Sequence, residues 1–117
     1  MYSPDLCMGL GSLVYALSKL DGSLQREEIQ TVRELFASDP HADLVIYAYF
    51  IRENTGESVD EAYAFGMRRL MAQRVELNEQ TKKRFVSILR RVARAHEGIS
   101  RQERAFIRRF WHEIRHL

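Results

Sequence analysis

The sequence predicts an all-α protein of about six helices, in which two pseudo-repeated helical hairpins pack around a central apolar helix. Three observations predict it. Apolar residues recur every three or four positions through most of the chain, the period of a half-buried helix. Helix-opening residues stand before those stripes. An acid-glycine break between helical patterns also occurs twice, as Leu20-Asp21-Gly22 with Glu27 and as His96-Glu97-Gly98 with Glu103, a spacing of 76 residues between the glycines.

The elements follow in order. Ser3-Pro4-Asp5 supplies a cap and a first-turn proline ahead of Leu6, Leu10, Leu13, Val14, Leu17 and Leu20. Gly22 suits the left-handed residue that ends such a helix. A second helix is expected from about Leu24, burying Ile29, Val32, Leu35 and Phe36. Asp39-Pro40 repeats the cap-plus-proline signal for a third. Its run from Leu44 to Ile51 is apolar throughout and would also suit a buried strand. No other segment alternates with period two, and a lone strand has no partner for its backbone groups. A central helix surrounded by the other five is therefore expected there. Ser58-Val59-Asp60-Glu61 is a capping box, in which Ser and Glu each satisfy a free backbone N–H of the helix start. Asn78 caps a fifth helix with the stripe Phe85, Ile88, Leu89, Val92 and Ala93. A second capping box, Ser100 to Glu103, opens the sixth.

Bulk properties fit a single domain over residues 1–117, burying roughly two-thirds of its unfolded surface. The one cysteine excludes an internal disulfide and a thiolate-rich metal site. The N-terminus lacks the basic start and apolar core of a signal peptide, and no segment reaches membrane-spanning length, so a cytoplasmic location is expected. Charge is uneven. Residues 1–60 hold 4 basic and 10 acidic side chains, and residues 61–117 hold 14 and 6. Two readings compete: the two halves attract each other across solvated helix faces, or the second half offers a basic surface to an acidic partner. The residues for that surface are Arg68, Arg69, Arg90, Arg91, Arg94, Arg104 and Arg108. Protein partners fit them better than nucleic acid, whose binding would weaken steeply with salt.

Three further constellations bear on chemistry. His112-Glu113-Ile114-Arg115-His116 matches the H-E-x-x-H zinc-hydrolase motif. At 100° per residue, however, His112 and His116 fall opposite the apolar face of Phe106, Ile107, Phe110, Trp111 and Ile114, and a catalytic zinc needs a third ligand and a substrate cleft. Asp21, Glu27, Glu97 and Glu103 form an acidic set of the kind that binds calcium or magnesium through oxygen. Helix capping and first-turn charge explain the same acids without an ion. Cys7 lies in line with Leu10, Val14 and Leu17 and reads as a buried thiol, while His96 reads as a helix-end or core-edge residue. Gly9 and Gly11 sit inside a helix with no strand before them. They permit close helix contact and do not cradle phosphate.

The paired pattern Ala16 through Gly22 with Glu27, and Ala93 through Gly98 with Glu103, resembles the TerB-like family, which includes the tellurite-resistance protein TerB and the N-terminal helical region of the co-chaperone DjlA. The resemblance covers nearly the whole chain. It implies an all-α bundle, a non-catalytic role in bacterial chemical-stress response, and a divalent cation on the loop acids. The family's first-loop Asp and Glu would be Asp21 and Glu27, and its second Glu would be Glu103. Glu97 stands where the family has Asp.

Overall fold

Local capping chemistry sets most of the helix boundaries. The Oγ of Ser3 accepts the Leu6 backbone N–H at 3.3 Å, and Pro4 fills the first turn, where its missing N–H costs nothing. The computed structural model describes residues 2–20, 25–95 and 98–117. It contains α1 (Pro4–Lys19), α2 (Arg26–Leu35), α3 (Ala42–Thr55), α4 (Val59–Ala72), α5 (Glu79–Arg94) and α6 (Arg101–Ile114), with no strand among the described residues. Asn78 caps α5 through Thr81 N–H at 2.9 Å. Ser58 and Ser100 open α4 and α6 with complete capping boxes, as expected.

The two repeated helix–break–helix units are α1–α2 and α5–α6. Their helices begin 75 residues apart, at Pro4 and Glu79 and again at Arg26 and Arg101. That register is one residue shorter than the glycine echo implies. Gln25, not Leu24, is the N-cap of α2, and it stands in the place of Ser100.

The central apolar helix is present, but it is α1. Leu6, Cys7 and every residue from Gly9 to Ser18 are buried, and α1 lies against α3 and α4. Small residues permit the close approach. A Cβ on Gly11 would strike the Val45 carbonyl of α3, and one on Gly66 would meet Leu13 Cγ at 2.7 Å and the Gly9 carbonyl at 2.9 Å. The third helix is a cover for α1 and not a rod enclosed by the rest. It buries Val45, Ala48 and Tyr49 yet leaves Tyr47 55% and Phe50 38% exposed.

Its start also differs from expectation. His41 is the N-cap, because Asp39 is engaged elsewhere: its carboxylate accepts the His41 N–H at 2.8 Å and the Tyr2 N–H at 3.4 Å. Bonding to the backbone two residues on is the turn-forming habit of Asp. Tyr2 in turn packs edge-on against Phe36 and Phe85, tying the N-terminal segment to the C-terminal end of α2 and to the middle of α5.

One buried polar network joins α1, α3 and α4. Ser12 Oγ donates to the Ala62 carbonyl at 2.8 Å and accepts Arg52 Nε at 3.2 Å. The Arg52 guanidinium lies 3.8 Å from the centre of the Phe65 ring and 3.5 Å from Glu57. Each buried polar group here is matched, as low-dielectric surroundings require.

Candidate functional site

Amphipathic spacing on α5 and α6 turns Phe85, Leu89, Val92, Phe106 and Phe110 inward and leaves the arginines outside. Two clefts open between these helices. One, of about 470 Å³, is lined by Lys83, Arg90, Arg91, Arg94 and Trp111. The other, of about 640 Å³, is lined by Arg90, Arg94, Ile99, Arg104, Arg108 and Trp111. Arg90, Arg94 and Trp111 belong to both, so five of the seven sequence-predicted arginines converge on one surface around the only tryptophan. Among the described residues, none of those five guanidinium groups has a hydrogen bond or a carboxylate partner. Like charges held together without direct ion pairs create a positive field that favours an anionic occupant, with Glu34 as the acid that shares a cleft with Arg91 and Arg94. Arg68 and Arg69 lie apart on α4. Arg69 pairs with Asp5 of α1 at 2.7 Å and faces the Phe65 ring, which makes it part of the α1–α4 contact.

The acidic set divides. Asp21 and Glu97 lie outside the described residues, as do Gly22 and His96. Gly98 adopts the left-handed conformation, φ 81°. Glu103 is 1% exposed, and its Oε1 accepts the Ser100 backbone N–H at 2.9 Å. Glu27 is exposed in the first turn of α2. The acid that shares Glu103's position is Glu28, which is 4% exposed. Its Oε1 accepts the Gln25 N–H at 3.0 Å, and its Oε2 lies 3.5 Å from Ser18 Oγ. Sequence reasoning missed Glu28. The signal was the spacing Gln25-x-x-Glu28, obscured because glutamine is a poor match to the usual cap residues.

Tyr49 sits beside this group, and its phenol is held well above its ordinary range by burial, offset by a hydrogen bond with Ser18. Cys7 is buried, as read from the sequence, and its thiol is pushed up to about 12 by burial, then by the nearby charges of Asp39 and Glu76.

In the H-E-x-x-H segment, His112 and His116 are exposed, with ring centres 5.7 Å apart. Glu113 is occupied. Its Oε2 accepts the Tyr63 hydroxyl at 2.8 Å and its Oε1 accepts Arg109 Nε at 3.1 Å, while Arg109 covers the Tyr63 ring at 4.1 Å. Burial and this bond to Glu113 keep the Tyr63 phenol protonated far into the alkaline range. The glutamate that a zinc hydrolase would use as base here anchors α6 to α4.

No helix of the described residues is long and apolar enough to cross a membrane. No curated protein and no solved structure matches the chain significantly. A family model described as tellurite resistance protein TerB matches residues 8–115, which spans all six helices apart from the first turn of α1. The chain therefore belongs to the TerB family.

Proposed function

We propose that this protein is a non-catalytic, cytoplasmic binding domain of a tellurite-type bacterial stress response, and that it takes an acidic protein partner on the α5–α6 surface. One observation supports the reading above the others: Arg90, Arg91, Arg94, Arg104 and Arg108 meet around Trp111 without carboxylate partners among the described residues. A tryptophan with an apolar body at the centre of a charged ring has the make-up of an interface anchor. Trp111 also reports directly on binding. Titration with a glutamate-rich peptide at low salt should shift its fluorescence, and Arg90→Glu with Arg94→Glu should remove the response. Silence toward the peptide would refute the reading. A response only to DNA or RNA, falling steeply with salt, would favour nucleic acid instead.

The non-catalytic part draws support from Glu113, whose two oxygens are committed to Tyr63 and Arg109. Zinc-dependent peptide hydrolysis that disappears in Glu113→Gln would overturn it.

A second proposal retains calcium or magnesium on Asp21, Glu27, Glu97 and Glu103. The burial of Glu103 in the first turn of α6 supports it, since a buried carboxylate gains from a neighbouring positive charge. Calorimetric titration with each ion should show binding that is lost in Asp21→Asn. An unchanged isotherm in that variant would exclude these loops.

A further inference from the structure

A different set of metal-ligating side chains lies where α1 meets the connection between α2 and α3. The Sγ of Cys7, a carboxylate oxygen of Asp39 and a ring nitrogen of His41 all lie within 4.8 Å of one another. The fold brings them together from opposite ends of a 35-residue stretch, and several bonds hold them there. Asp39 is fixed by the N–H groups of His41 and Tyr2. The Nδ1 of His41 lies 2.7 Å from the Tyr2 carbonyl. A proton donated to that carbonyl leaves the other ring nitrogen with its lone pair, the orientation-fixing arrangement common among metal-bound imidazoles. Cys7 is 1% exposed, whereas Asp39 and His41 are half-buried, so an ion has access from solvent. Glu76, from the connection after α4, accepts the Ser3 N–H at 3.1 Å and adds a second negative charge near the thiol.

We propose that Cys7, Asp39 and His41 bind a thiophilic divalent cation, zinc by preference, which clips α1 to the α2–α3 connection. One sulfur, one nitrogen and one oxygen make a donor set suited to zinc, whereas calcium and magnesium take oxygen alone. Bond lengths of about 2.0–2.3 Å in a tetrahedral site place donor atoms roughly 3.5 Å apart. The present spacing therefore closes by at most about 1.3 Å as the ion enters. Binding exchanges the thiol proton for the metal: the S–H bond breaks, a sulfur–metal bond forms, and the proton leaves to solvent. Two carboxylate charges beside a protonated, buried thiol become favourable neighbours once the cation is present. Water completes the fourth position. The set shares no residue with the arginine surface or with the acid-glycine motifs, and it stands or falls independently of both.

Cobalt(II) titration of the reduced full chain tests the assignment, because a thiolate ligand adds a near-ultraviolet charge-transfer band to the visible cobalt spectrum. A band saturating at one cobalt per chain, displaced by zinc and absent in Cys7→Ser, is expected. His41→Gln should weaken cobalt binding by about tenfold or more while the helical circular dichroism is unchanged. This second variant keeps the test sound if Cys7→Ser unfolds the protein. Three results would overturn the proposal: no cobalt binding, visible bands without the thiolate band, as an ion on His112 and His116 would give, or unchanged affinity in His41→Gln.

Discussion

Gly11 faces the backbone of α3 so closely that a single added methyl would overlap the Val45 carbonyl and come within 2.8 Å of the Ala48 Cβ. Neither obstacle is the free end of a flexible side chain, so Gly11→Ala should destabilise the protein by about 1–3 kcal/mol, read as a lower urea midpoint. Gly56 is a useful contrast. Nothing surrounds it, and only its positive φ of 63° opposes a side chain, so Gly56→Ala should cost about 1–2 kcal/mol from backbone strain alone. Cys7 gives a prediction in pH. Its thiol is held up to about 12 in the fold, against an ordinary value of 9.0. Between those values the unfolded chain has lost a proton that the native chain retains, so stability is fully present below about pH 9 and falls as pH rises toward 12. Urea unfolding of the metal-free protein should therefore show a midpoint that declines above pH 9, with a weaker decline in Cys7→Ala. Alkylation of native Cys7 at neutral pH should be slow, since the thiolate is the reactive form.

At the scale of the helix, the register of α2 is the sharpest point. Glu28 is buried with Oε1 on the Gln25 N–H, and Glu27 is exposed. Glu28→Ala leaves the part-buried Gln25 N–H and the buried Ser18 hydroxyl without that partner and should cost about 1–3 kcal/mol. Glu27→Ala should cost no more than about 1 kcal/mol, the scale of a charge in a first turn. Equal effects would contradict the placement. These two residues also show what the sequence could disclose. Ser58, Asn78 and Ser100 were legible as helix starts because a cap and its N–H partner lie within three residues. Glu28 escaped because its cap is a glutamine and the neighbouring Glu27 completes the glycine echo equally well. The position of α3 was hidden for another reason. Its apolar run specifies burial in general but not the helix that buries it, whereas Gly9, Gly11 and Gly66 together decide that α1 is the centre. The approach of Asp39 and His41 to Cys7 is likewise set by tertiary packing, and no local pattern announces it.

For the whole molecule, the division between an acidic first half and a basic second half resolves into two uses of arginine. Arg52 and Arg69 are drawn into contacts with Glu57, Asp5 and Phe65, where they hold α1, α3 and α4 together. Arg52→Ala should accordingly destabilise the protein by about 1.5–3 kcal/mol, the range for a hydrogen bond to a charged group, as measured by thermal or urea unfolding. Arg90, Arg91, Arg94, Arg104 and Arg108 have no such duties among the described residues. Reversing two of them should leave stability within about 0.5 kcal/mol while changing what the protein binds. The arginines themselves were legible from composition and spacing. Their separation into a cohesive pair and an exposed ring was not, because it depends on which helix faces which.

The most direct test of that ring is amide and indole chemical-shift mapping of the full chain during titration with a glutamate-rich peptide at low salt. Shifts should centre on Trp111 and on the backbone around Arg90, Arg94, Arg104 and Arg108, and should vanish in the Arg90→Glu, Arg94→Glu variant. Shifts confined to α1, α2 or the acid-glycine loops, or none at all, would contradict a partner-binding role for the α5–α6 surface.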